Sequence, residues 1–361
     1  MNTVMLLGPS LTAVSGVSTH LNQLLHSRLS TEFHLLHFQV GSQGRNESVR
    51  QRLGRFMFSP FQFFWFIIQE NPQIVHVNTT MDAKGYWRDL VYLSIARFLR
   101  KKIVYQIHGG ALPQEFFGKS KLMQNILRHV LRSVNVVVLL SQESLHAYRR
   151  FSSDLNLEVI PNAIEAGADP EWKQTPCADK KTLCLAYIGR LAESKGIFDM
   201  VEALAILHRR KKNLHLIIAG NGPDEARLRS RVEFLGLQHW VEFVGVIFGA
   251  EKEKVWHQAD LFVFPTYREA MPYALLESMA ARTPALVTCV GAIPDVMEDG
   301  VHGLFIPSRN PQALAEVIER LDDDRALIHR MGESSRQRIV NFYTIDRLAA
   351  DFVRTYFGIL K

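Results

Sequence analysis

The sequence predicts an α/β protein made of two Rossmann-like, doubly wound parallel-sheet domains facing a central cleft. Three observations predict it. Twelve short apolar runs alternate with helix-length amphipathic stretches along the chain. These runs are rich in leucine and β-branched residues without polar alternation, as suits parallel strands buried on both faces. A polar, proline-containing break at residues 165–181, EAGADPEWKQTPCADKK, divides the runs six and six and reads as a linker.

Taken in order, the first six strands are expected at 4–10, 33–40, 74–78, 103–109, 136–141 and 157–163. The second six are expected at 183–189, 214–222, 241–246, 261–266, 284–291 and 303–308. The domains therefore run over 1–164 and 182–344, and the last stretch, 345–361, is an amphipathic helix with no place in the second sheet. Ligands of open α/β sheets bind outside the carboxyl ends of the strands, so the loops there hold the chemistry.

Composition narrows the function classes. A chain of 361 residues with 47% hydrophobic and 22% charged residues suits an ordinary soluble protein of two domains. It has no apolar run of about 18 residues, and the opening MNTVMLLGPS, without a basic leader or cleavage site, reads as a strand. Cys177, Cys184 and Cys289 form no CxxC pair; the last two stand in apolar runs and are expected as buried thiols in a reducing cytoplasm. Residues 1–170 carry 17 Lys and Arg against 11 Asp and Glu, a net of +6, whereas residues 171–361 carry 25 of each. That excess admits two readings, an anionic partner such as a membrane surface or an acidic acceptor, and charge that only aids solubility. The stretch 55–72, preceded by Arg45, Arg50 and Arg52, also admits two: a basic amphipathic segment lying on a membrane, or, preferred, a core helix feeding the strand at 74–78. Arg209–Lys212 suits a helix C-terminus, and without a nucleic-acid motif no nucleic acid is expected as a partner. Asp322–Asp324 reads as a solvated helix boundary rather than a metal site.

The strand-end loops carry the candidate groups. Gly16 stands before a helix beginning near Ser18, an arrangement that serves either an anion or a plain tight turn. Arg190 and Lys195 flank the loop GRLAESKG, suited to grip a diphosphate, with solvated surface cations as the alternative. Gly220, Asn221 and Gly222 make a sharp turn where a flat base can approach backbone; Glu225 at the third-glycine position excludes a dinucleotide fingerprint. In YREAMPYALLESMA, Pro272 suits the first position of a helix. Glu269 then lies in the preceding loop, as a hydroxyl acceptor or a cap. Glu277 lies in the second turn, as a hydroxyl acceptor or a helix-dipole charge. Ala270, Met271 and Tyr273 place backbone amides at the helix N-terminus.

Assembled, these motifs closely resemble the GT-B-fold retaining glycosyltransferases of family GT4 over nearly the whole chain. The E-x7-E pattern of Glu269 and Glu277 is the most specific element. With it stand GR…KG (Arg190, Lys195), IAGNGP, PNAI at 161–164, EDGVHGLFIP at 298–307, and VHVN and QIHGG in the first half. The resemblance implies that Arg190 and Lys195 bind the donor diphosphate, helped by amides after Glu269 and at Gly16. It implies that Glu269 holds donor-sugar hydroxyls, Glu277 ribose hydroxyls, and the backbone of Gly220–Gly222 and Val244–Val246 the base. It places His108 beside the transferred sugar and packs 345–361 on the N-terminal domain, which binds a glycan or lipid-linked acceptor. Ala270, Ala163 and the SGV loop depart from the family's usual glycines and obscure the donor sugar.

The expected activity is retaining transfer from a nucleotide diphosphate sugar, UDP by family habit, with no cofactor and no metal, since protein cations stabilise the leaving group. The expected location is cytoplasmic, and the basic N-terminal domain leaves open a peripheral contact at the cytoplasmic face of the inner membrane. A nucleotide-sugar hydrolase or epimerase on the same fold and a non-catalytic sensor are the alternatives. The separate placement of the two glutamates disfavours a glycosidase.

Overall fold

The computed structural model describes residues 1–41, 47–118, 120–165, 167 and 182–361. Apart from Glu165 and Gly167, the expected linker lies outside the described residues, as do Arg45 and Cys177. The chain forms two compact units, Met1–Ile164 together with Ile345–Lys361, and Glu165–Thr344.

The first unit holds β1 (Asn2–Gly8), β2 (Phe33–Gln39), β3 (Ile74–Met81), β4 (Lys102–Gly110), β5 (Val136–Leu139) and β6 (Leu157–Val159). They form one sheet in the order β2-β1-β3-β4-β5-β6. The second unit holds β7 (Leu183–Ile188), β8 (Leu214–Ala219), β9 (Val241–Gly245), β10 (Leu261–Phe264), β11 (Ala285–Val287) and β12 (Gly303–Phe305), in the order β12-β11-β10-β7-β8-β9. Every ladder is parallel, and the strands match the twelve apolar runs in order. Parallel neighbours need long crossovers, and helices on the faces bury the strands; β5 and β10 are buried at every residue. In each sheet the winding reverses once, between β1 and β3 in the first and between β7 and β10 in the second.

The helix Ile345–Leu360 belongs to the first unit. Its Leu348, Phe352 and Tyr356 pack with Val4, Leu6, Ile74 and Val104, and Tyr356 shares a 2.6 Å hydrogen bond with His76 Nδ1. Burying each such side chain contributes about 1.5–3 kcal/mol, which gives an amphipathic helix far along the chain its reason to pack on the first sheet.

Two expectations are corrected. Cys289 is exposed, because β11 ends at Val287 and the chain turns outward before the thiol; Cys184 is partly buried. Residues 55–70 of the stretch at 55–72 lie within a 22-residue helix, Val49–Glu70, started by a capping box in which Ser48 N donates to Gln51 Oε1 at 2.8 Å. It feeds the strand at 74–78 as preferred, but only one narrow face of it joins the core: Ser59, Phe63 and Ile67 are buried and the rest of the helix is not.

Candidate active site

The second sheet reverses between β7 and β10, and the loops leaving these strands carry the predicted donor-site groups. After β7 the chain makes a short 3-10 turn, Glu193–Lys195, and enters the helix Ile197–Arg209 through Gly196. Gly196 has φ +70°, and a Cβ there would meet Pro265 O at 2.0 Å. A glycine is thus required for the β7 loop to lie against the β10 loop. Ser194 O accepts from Tyr267 N at 2.9 Å and from Thr266 Oγ1 at 3.4 Å, which stitches the two loops together.

This stitching brings Lys195 to Glu269. The ammonium pairs with Glu269 Oε1 and donates to Arg268 O at 3.5 Å, with side chains 22% and 14% exposed. An ammonium has three donors, and two engaged among the described residues leave one for a ligand. Arg190 is exposed on the same loop, its carbonyl fixed by Tyr187 OH at 2.8 Å. Glu269 is held from behind: Ala292 N donates to Ala270 O at 2.7 Å, and Thr288 Oγ1 donates to Thr266 O.

The turn Gly220–Gly222 sits against the Arg190 loop. Leu191 N donates to Asn221 O at 2.8 Å, and a Cβ on Gly220, at φ +131°, would meet Gly189 O at 1.9 Å. Gly220 N donates to Gly245 O at 2.6 Å, which sets Val246 beside the turn.

Pro272 is not the first helical residue. Its ψ of 126° makes it the extended N-cap of the helix Tyr273–Ala280, because the chain must still descend from the loop holding Met271. Glu277 accepts from Lys252 Nζ at 2.7 Å through Oε1, while its Oε2 is buried with no hydrogen-bond partner among the described residues. A buried carboxylate oxygen left open is an acceptor prepared for a donor hydroxyl. Burial, and then the Glu277 charge, push the Tyr273 phenol well above its usual range. Lys252 comes from the helix Gly249–Gln258. Sequence reading missed it, since EKEKVW carries no signal beyond a solvated helix face.

Gly16 and His108 lie in the first unit. Gly16 opens the helix Gly16–His26, two residues before the expected Ser18, with Ser15 as N-cap accepting from Ser18 N at 3.2 Å. His108, at the end of β4, shares a 2.9 Å hydrogen bond between Nε2 and Asn78 Oδ1, and its ring lies 4.7 Å from that of His20. Burial, reinforced by His20 and His76, keeps the His108 imidazole neutral, well below its ordinary pKa. His20 and His76, wholly buried, are lowered to about 3 for the same first reason. At the β1–β3 switch point, Gly41, Asn78, Thr80, Asp82 and Arg88 line a pocket of about 160 Å³. Asn78 Nδ2 there is buried without a partner among the described residues.

Comparison with known proteins follows the same division. Residues 15–167 match the Glycosyltransferase Family 4 model and residues 168–338 match Glycosyl transferases group 1. The alpha-D-kanosaminyltransferase of Streptomyces kanamyceticus is 26% identical over 72% of this chain and 71% of its own. The uncharacterized glycosyltransferase MJ1607 of Methanocaldococcus jannaschii is 29% identical over 48% of this chain, which spans only 44% of that relative's length. Among solved structures, sucrose-phosphate synthase from Thermosynechococcus elongatus has a TM-score of 0.78 at 19% identity, covering 99% of both chains. HepE from Anabaena, in complex with UDP-glucose, has a TM-score of 0.77 at 16% identity over 99% of this chain and 100% of its own. At such identities these two show the fold, which is GT-B. The two family models meet end to end over residues 15–338, so the chain carries a Glycosyltransferase Family 4 domain followed by a Glycosyl transferases group 1 domain.

Proposed function

We propose that the protein transfers a sugar from a UDP-sugar to a glycan or lipid-linked acceptor, with retention of configuration and without a divalent metal. The place of the reaction would be the cytoplasmic face of a membrane where surface polysaccharide or glycolipid is made. The observation that carries this reading is the pairing of Lys195 with Glu269, beside Arg190, on the two loops of the β7–β10 switch point.

In this reading the diphosphate lies across Arg190 and the open donor of Lys195. Glu269 aligns Lys195 and accepts sugar hydroxyls, the open Oε2 of Glu277 accepts a ribose hydroxyl, and the base rests on the Gly220–Gly222 turn. As the anomeric carbon–oxygen bond breaks, the electron pair stays on the diphosphate, whose growing charge the two cations stabilise. The acceptor oxygen bonds to the anomeric carbon from the same face, and its proton passes to the leaving diphosphate. The UDP-glucose in the HepE structure supports uridine as the base.

The test is thermal melting with UDP, GDP, ADP, CDP and dTDP, with and without EDTA, followed by product analysis with the matching nucleotide sugars. A ligand at one hundred times its Kd adds about 2.7 kcal/mol. A shift with UDP alone, unchanged by EDTA, and a glycosylated acceptor are expected. Free sugar as the product would turn the reading to a hydrolase, and no shift with any nucleotide would remove the donor site.

A further inference from the structure

The helix Val49–Glu70 buries one narrow face and leaves an apolar one bare. Inward, Ser59 Oγ shares a 2.8 Å hydrogen bond with Tyr92 OH, and the Phe63 ring packs edge-on at 5.1 Å from Tyr92. Outward, Val49, Leu53, Met57, Phe61 and Trp65 follow one another every four residues, flanked by Phe56 and Ile68, and all seven are between 47% and 67% exposed. At 3.6 residues per turn these positions sweep roughly half the circumference of a helix about 33 Å long. A continuous exposed apolar surface of this kind marks an interaction site.

Charge identifies the occupant. The helix carries Arg50, Arg52 and Arg55 in its first two turns and no carboxylate before its final residue, Glu70. Arg55 is taken by Glu47 at 2.6 and 3.0 Å, while Arg50 and Arg52 are exposed. Over its sequence the first unit has 20 Lys and Arg against 11 Asp and Glu, a net of +9; the second has 22 against 25, a net of −3. A second copy pairing through this face would bring two strongly cationic units together. Aromatic and aliphatic side chains beside arginines instead match the boundary between anionic headgroups and acyl chains. Among the described residues no helix is long and apolar enough to cross a membrane, so this one would lie in the surface rather than span it.

We propose that the exposed face of the Val49–Glu70 helix docks the first unit on an anionic lipid bilayer, with Phe61 and Trp65 inserted and Arg50 and Arg52 against the headgroups. This deepens the proposed sugar transfer by favouring a lipid-linked acceptor, but its test needs no turnover.

The full chain would be sedimented with vesicles of phosphatidylcholine alone and of phosphatidylcholine mixed with phosphatidylglycerol. Binding is expected to the anionic vesicles only and to weaken with salt. Phe61→Ser combined with Trp65→Ser should reduce partition at least about tenfold, and Arg50→Glu with Arg52→Glu by about tenfold. These residues are exposed, so the melting midpoint of each variant and its UDP-induced shift should match the parent. A parent chain that stays in the supernatant, or variants that sediment as well as the parent, would overturn the proposal. So would light scattering that shows a dimer dissociated by the aromatic variant. The nucleotide shift does not depend on the exposed face of this helix: lost vesicle binding with an intact shift removes the docking surface only, and the reverse removes the donor site only.

Discussion

The two sheets are wound on nearly one plan, and each has a switch point with a loop from either side, yet the two points have opposite chemistry. At β7–β10 the loops present Lys195, Arg190, Glu269 and, one helix on, Glu277 with an open oxygen. At β1–β3, and at the neighbouring end of β4, stand Asn78, Thr80 and Arg88 with the uncharged imidazoles of His20, His76 and His108 behind. One end offers cations for anionic oxygens beside carboxylates for hydroxyls; the other has uncharged imidazoles and an amide behind a single Arg88 and Asp82. The comparison teaches that the winding supplies the place and the loop residues supply the function.

The largest effect that would break this contrast is at Lys195. Lys195→Ala should lower turnover about 10²–10³-fold, as for a lost oxyanion donor, and weaken the UDP-induced melting shift; initial rates measure it. Retained turnover would mean that the cation is not at the leaving group. Glu269→Gln should follow closely, because it removes both the partner of Lys195 and a sugar acceptor, so the effect should appear in kcat more than in nucleotide affinity.

Gly196→Ala tests the stitching rather than the charge. A Cβ at φ +70° and 2.0 Å from Pro265 O should cost about 1–3 kcal/mol and weaken nucleotide binding, read by denaturant melting with and without UDP. If stability falls and affinity does not, the two loops position the site independently.

The neutral histidines sharpen the other side of the contrast through pH. His20 and His76 have folded pKa values of about 3 against an ordinary 6.5. Between these values the unfolded chain binds more protons, so stability rises with pH across the window. It is complete above about 6.5 and is lost as pH falls toward 3. His76→Gln should shallow that dependence by up to about 1.4 kcal/mol per pH unit, measured by denaturation at successive pH values. An unchanged slope would place the acid sensitivity elsewhere. The smallest effect is expected from Lys252→Ala, which frees Glu277 Oε1 and should change UDP affinity by about threefold, within the range of a part-exposed ion pair.

What was legible in the sequence had a local physical signature. The twelve strands were readable because strands covered on both faces must be apolar throughout, and the strand-end loops were readable because glycines and charged residues interrupt those runs. Lys195 and Glu269 were therefore found as separate candidates at separate loop positions. Only the resemblance implied that they share a site, and their direct ion pair was not read at all, since 74 residues separate them and the crossing of β7 beside β10 closes that distance.

The sequence by itself determined the α/β class, the succession of strands and the residues able to meet a diphosphate, because burial and turn chemistry act over a few neighbours. The tertiary structure alone decided which side chains bond directly to one another and which face solvent. It paired Lys252 with Glu277, left one oxygen of Glu277 open, gathered three histidines from distant elements and turned Cys289 outward. It also decided the fate of the helix Val49–Glu70. Apolar residues lie on nearly every side of it, so periodicity gives no inner face, and packing against Tyr92 and Phe38 selects Phe63 for the core and leaves Phe61 and Trp65 in the open.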